Sequence, residues 1–142
     1  MPIIRIVALA VTFLFITVSG ASAADGPATF GVRYFAEGGS HQTYLVARQG
    51  GGVAGEAWLD ASEHDGRRAR ALTVCDRRAD GLRVGARIFV PDGRRLDYYA
   101  PVGLDSPRKR ACFERPLGYR ISRWQLLFGS GFSGEVSPPP LV

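Results

Sequence analysis

Apolar residues recur at every second position over short stretches of this chain, and clusters of Gly, Asp and Pro separate the stretches. A period of two sends alternate side chains to a core and to solvent, which is the mark of a half-buried strand. On this pattern residues 29–35, 42–48, 53–60, 68–76, 82–90, 95–100, 110–114 and 118–128 are read as strands. Between them lie Glu37-Gly38-Gly39-Ser40, Gly50-Gly51-Gly52, Asp65-Gly66, Asp80-Gly81, Asp92-Gly93 and Asp105-Ser106-Pro107, residue types that accept the dihedrals of tight turns. No helical period of useful length follows residue 23. The pattern predicts an all-β fold, a single small antiparallel β-sandwich or barrel of seven or eight strands.

Alternation is cleanest over residues 82–90, where Leu82, Val84, Ala86, Ile88 and Val90 share one face and Arg83, Gly85, Arg87 and Phe89 the other. A two-residue loop at Asp92-Gly93 would set Ile88 against Asp97 and Val90 against Arg95, charges beside core aliphatics. A three-residue loop, Asp92-Gly93-Arg94, instead sets Val90 against Leu96, Ile88 against Tyr98 and Ala86 against Ala100. That register places Arg87 across from Tyr99 and Phe89 across from Asp97 on the outer side. Asp-Gly followed by Arg recurs at Asp65-Gly66-Arg67, Asp80-Gly81-Leu82-Arg83 and Asp92-Gly93-Arg94 without a fixed period, as successive hairpin turns do.

The first 23 residues break the pattern. Arg5 and the amino terminus precede an uncharged apolar run over residues 6–18, and Ala21-Ser22-Ala23 supplies small residues where a signal peptidase cuts. Residues 1–23 are therefore read as a signal peptide, residues 24–136 as one β-sandwich domain, and residues 137–142, with three prolines in a row, as a disordered tail. The leader's last third is too small and polar for a spanning helix of about 20 apolar residues. A secreted monomer is expected, with no stable membrane insertion after cleavage. A periplasmic product, or one anchored by an uncleaved leader, is the alternative.

Composition changes this picture in two places. Eighteen Lys and Arg against 13 Asp and Glu give a net charge of +5, but Lys109 is the only Lys and Asn is absent, a bias typical of a GC-rich genome. Arginine abundance of that origin, on a surface of mixed sign, does not indicate a nucleic-acid partner. Cys75 and Cys112 are the only cysteines, and in an oxidising compartment an isolated pair predicts a disulfide.

Candidate chemistry is sparse. His41 and His64 are the only histidines and fall in expected loops, without the base and orienting group that a nucleophile needs. Two separated His and two bridged Cys make no metal set, and no cofactor-binding loop is present. Glu56, Asp60, Asp97 and Glu114 can be paired on paper as hydrolytic carboxylates, as in most β-sandwiches. The stronger expectation is a surface of Arg and aromatic side chains. Trp58, Tyr98, Tyr99, Tyr119 and Trp124 fall on expected strands, with Tyr98 and Trp124 assigned inward. Arg87, Tyr99 and Arg95 form the candidate binding set. The basic clusters Arg67-Arg68-Ala69-Arg70, Arg94-Arg95 and Arg108-Lys109-Arg110 lie at or beside turns and, brought together, could grip an anionic polymer.

The run Val74-Cys75-Asp76-Arg77-Arg78-Ala79-Asp80-Gly81, followed by an alternating strand, Asp92-Gly93 and Cys112, resembles small secreted actinobacterial proteins. The resemblance covers residues 71–112. It implies a compact exported β-sandwich with one structural disulfide, and it carries over no catalytic residue. The functional expectation is a non-enzymatic protein that binds an extracellular or cell-envelope ligand, a glycan or a protein. Alternatives are an inhibitor presenting residues 103–109 to an extracellular enzyme and, behind it, a small hydrolase using Glu56 or His64.

Overall fold

A computed structural model describes residues 16–17, 26–64, 67–78, 80–101 and 111–141. Its strands are β1 (Ile16–Thr17), β2 (Thr29–Glu37), β3 (Ser40–Gln49), β4 (Gly52–His64), β5 (Arg67–Asp76), β6 (Val84–Phe89), β7 (Arg95–Tyr99), β8 (Ala111–Leu117), β9 (Arg123–Phe128) and β10 (Gly131–Phe132). All pairings are antiparallel. One sheet runs β1-β2-β3-β4-β5-β8 and the other β10-β9-β6-β7, and no helix occurs among the described residues. The fold is an all-β sandwich, as the alternation predicts. Two very short strands add to the eight expected: β10, and β1, which falls inside the stretch read from the sequence as a signal peptide.

Alternation builds the core directly. Leu45, Leu59, Leu72 and Val74 point inward from the large sheet and meet Val84, Ala86, Ile88, Trp124 and Leu126 from the small one, all buried. Each large aliphatic or aromatic side chain removed from water in this way contributes about 1.5–3 kcal/mol. At Gly55 the sheets approach so closely that a Cβ atom would lie 2.7 Å from both methyls of Val84. Only glycine fits between that strand and the facing one.

The β6–β7 hairpin has a three-residue loop, but one residue earlier than the sequence suggests. The loop is Pro91-Asp92-Gly93, closed by Val90 N–H donating to the Arg94 carbonyl at 3.1 Å and Gly93 N–H donating to the Val90 carbonyl at 3.0 Å. Gly93, at φ 88°, supplies the left-handed residue that ends such a loop, and Asp92 accepts the Arg94 N–H. Ile88 consequently faces Leu96, Ala86 faces Tyr98, and Arg87 faces Asp97 rather than Tyr99. Apolar patterning cannot separate two registers that differ by two residues, because both keep the same faces inward.

Two further expectations are corrected. His41 lies within β3 and His64 ends β4, both in strands rather than loops. Residues 118–122 are not strand. They cross from β8 in the large sheet to β9 in the small one, and Tyr119 and Ile121 pack inward as they pass. Val136 bridges to Trp124, and beyond it Arg70 donates two hydrogen bonds, of 3.0 and 2.9 Å, to the carbonyl of buried Pro139.

Cys75 and Cys112 are joined, as expected from the isolated pair. They sit directly opposite each other on β5 and β8, with Cα atoms 4.1 Å apart. The bond ties the terminal strand of the large sheet to its neighbour.

Candidate ligand-binding face

Because Ala57, Leu59 and Ala61 of β4 point inward, Glu56, Trp58 and Asp60 point out. The strand register then aligns rows across the outer side of the large sheet. Arg33, Tyr44, Trp58, Thr73 and Glu114 form one row from β2 to β8. Phe35, Gln42, Asp60, Ala71 and Pro116 form the next, and Gly31, Val46, Glu56, Cys75 and Cys112 a third on the other side. Tyr44 and Trp58 are half-buried with ring centroids 6.3 Å apart, and Phe35 at the margin is 48% exposed. Aromatic and polar groups therefore alternate on the outer face of the large sheet, where Val46, Glu56, Thr73 and Cys75 are buried and Tyr44, Trp58 and Asp60 half-buried.

Hydrogen bonds fix the orientation of this surface. The Tyr44 hydroxyl donates to Glu56 Oε2 at 2.6 Å, and Arg77 holds Glu56 Oε1 in an ion pair. Burial pushes the Tyr44 hydroxyl pKa up, against the opposing pull of Arg48, Arg77 and Arg33, so it stays a proton donor at neutral pH. In the neighbouring row Gln42 Nε2 donates to Asp60 Oδ1 at 2.5 Å. Burial raises the pKa of the Asp60 carboxyl, and nearby Glu114 raises it further, while the Gln42 bond works against both. Both oxygens of Glu56 are engaged, Oε2 by Tyr44 and Oε1 by Arg77. His41 shares the opposite, inner side of the sheet with Ala61 and is not brought together with these carboxylates.

The expected binding set Arg87, Tyr99 and Arg95 lies on the outer side of the small sheet. Arg87 makes two hydrogen bonds to Asp97, of 2.8 and 2.7 Å, and Arg95 is exposed on the strand next to it. Asp97, held by the Arg87 guanidinium, has its carboxyl pKa lowered. Tyr99 lies against Gly85, with the Arg83 guanidinium 3.9 Å from its ring centre. Tyr98 and Trp124 point inward as assigned, and Tyr98 meets the Tyr119 hydroxyl at 2.7 Å. Of the aromatics singled out from the sequence, Trp58 is the one that lies on the larger outer face. Tyr44, Phe35 and Gln42 complete that face, and the alternation over residues 42–48 already placed Tyr44 and Gln42 on one side.

Of the basic clusters, Arg94 is exposed and paired to its own loop through Asp92, whereas residues 108–110 and the side chains of Arg67 and Arg68 lie outside the described residues. Residues 103–109, the expected inhibitory loop, lie outside them too, as does the His64 side chain. No group of three or more potential metal ligands occurs among the described residues. Nor does any helix there have the length and apolarity to cross a membrane. Comparison with protein-family models, with curated proteins and with solved structures finds no match to this chain.

Proposed function

We propose that this protein is an exported, non-enzymatic binding module that holds a cell-envelope or extracellular glycan on the outer face of its large sheet. The observation that carries the reading is the Tyr44–Trp58 ring pair, flanked by Phe35 on one edge and by Gln42, Asp60 and Glu114 beside it. Sugar rings present apolar C–H faces that lie on aromatic side chains, while their hydroxyls bond to amides and carboxylates at the ring edge. The Glu56–Tyr44–Arg77 network holds the platform in one orientation before a ligand arrives, which lowers the entropy lost on binding. Export is supported by the leader-like sequence pattern of residues 1–23, by the disulfide, which persists in oxidising compartments, and by the resemblance of residues 71–112 to small secreted actinobacterial proteins.

The test is co-sedimentation of the exported protein with purified cell walls and with insoluble neutral polysaccharides. Soluble fragments of the same glycan should release it. Trp58→Ala should weaken retention about tenfold or more, whereas Tyr99→Ala, on the other sheet, should leave it unchanged. Release by salt alone, or equal loss in both variants, would count against this face and in favour of the arginine clusters.

A further inference from the structure

Strand β8 ends the large sheet and β7 the small one, and no backbone pairing joins the two among the described residues. Side chains close this seam instead. Tyr98 of β7 reaches across it to Phe113 of β8, with ring centroids 6.4 Å apart, and the Arg115 guanidinium lies 5.2 Å from the centre of the Tyr98 ring. The Tyr98 hydroxyl ends 2.7 Å from that of Tyr119, on the crossover that carries the chain from β8 to β9. Two phenols 21 residues apart in sequence thus meet head to head.

This contact joins the atoms that become reactive when a phenol is oxidised. Loss of one electron and one proton leaves an unpaired spin on the oxygen and on the ring carbons beside and opposite it, and in tyrosine the opposite carbon already carries the side chain. Two such radicals held oxygen to oxygen are left to couple through a Cε atom of each ring. Tethering makes that coupling intramolecular, at an effective concentration that free tyrosines do not reach. Both residues are half-buried, neither sealed from a diffusible oxidant nor presented to other molecules as Tyr34 is, at 63% exposure. Burial pushes the Tyr119 hydroxyl pKa up, and the bond to Tyr98 raises it further against a smaller pull from Arg115, so Tyr119 is a neutral phenol beforehand. Both cysteines are in the disulfide, which leaves no thiol to reduce a phenoxyl radical. Tyr44 and Tyr99 are occupied elsewhere, by Glu56 and by Arg83.

We propose that Tyr98 and Tyr119 form an oxidative cross-linking site, at which hydrogen peroxide, acting through a haem peroxidase, joins them as dityrosine. Each phenol gives up one electron and one proton, and together these reduce one peroxide to two waters. A bond then forms between one Cε atom of each ring, and the hydrogens displaced from those carbons pass to the oxygens and restore both phenols. The protein becomes lighter by two hydrogens. The new bond ties the last strand of the small sheet to the crossover, while the disulfide ties β8 to β5, so that a seam held by side chains is made covalent. This site stands apart from the outer face of the large sheet and does not depend on what that face binds.

The test treats dilute exported protein, from cells expressing the full chain, with hydrogen peroxide and a haem peroxidase. The monomer should gain the blue fluorescence of dityrosine and lose the mass of two hydrogens. After reduction and digestion with trypsin, the peptide of residues 96–108 should be found joined to that of residues 111–120. Tyr98→Phe and Tyr119→Phe, each with unchanged far-ultraviolet circular dichroism, should lose this product. Tyr99→Phe, in the same peptide as Tyr98, should keep it, and Tyr34→Phe should remove only covalent dimers. Products that are all intermolecular, a link that survives either Tyr98→Phe or Tyr119→Phe, or no link at all would each overturn the inference.

Discussion

Breaking the Cys75–Cys112 bond should remove a large part of this domain's stability, and the size of the loss follows from where the two residues sit. They are 37 residues apart in sequence, and the bond closes that loop in the unfolded chain as well as in the native one. Chain-entropy arithmetic for a loop of this length gives about 3.8 kcal/mol at 25 °C. Within the native sheet the bond adds little, since β5 and β8 are already paired from Arg70 to Asp76. Cys75 is buried, so replacing both residues by alanine also removes sulfur packing, worth about 1 kcal/mol. Urea unfolding of the oxidised protein, of the protein reduced with a trialkyl phosphine, and of the double alanine variant separates these contributions. Reduction should cost about 3–4 kcal/mol and raise the m-value, because an open chain exposes more surface. The alanine pair should cost about 1 kcal/mol more. A loss below about 1 kcal/mol on reduction, with m unchanged, would refute the argument that the bond acts on the unfolded chain.

Gly55→Ala should destabilise by about 1–3 kcal/mol in the same assay, because the new methyl meets Val84 at 2.7 Å across the two sheets. Thr43→Val should stabilise by about 1 kcal/mol, since the fully buried Thr43 hydroxyl finds no hydrogen-bond partner among the described residues. The lowered Asp97 pKa makes the Arg87–Asp97 pair a source of acid sensitivity. Its contribution is present above the unfolded value near 3.8 and disappears as the pH falls through the lower folded value. Asp97→Asn should therefore cost up to about 1 kcal/mol at pH 7, in keeping with a partly solvated pair, and the gap to wild type should close as thermal melts are taken below pH 3.8.

The fold was legible because the strands carry its instructions locally. Leu82 to Val90 announces a half-buried strand, and the Gly and Asp clusters announce where the chain turns. The exact pairing of β6 with β7 was not legible, since Gly93 selects between registers that bury the same side chains. Sheet membership was hidden for a different reason. β8 follows β7 in sequence but pairs with β5, a choice made by packing between distant segments. The outer face was half visible: Trp58 stood out as an aromatic on a strand, whereas assembling Arg33, Tyr44 and Glu114 around it required the register of four strand pairs. The set Arg87, Tyr99 and Arg95 did fall on one side of one sheet, but Arg87 is committed to Asp97 and Tyr99 to Gly85 and Arg83.

Arg70 depends on an acceptor that lies 69 residues later in the chain. Burial lowers the pKa of its guanidinium, so the charge is disfavoured there unless the Pro139 carbonyl arrives to receive it. Synthesis proceeds from the amino end, and a nascent chain can close both hairpins of β3, β4 and β5 long before that carbonyl exists. The bond that receives this charge is therefore made only after those hairpins have closed, and a chain cut short before Pro139 leaves Arg70 without that acceptor.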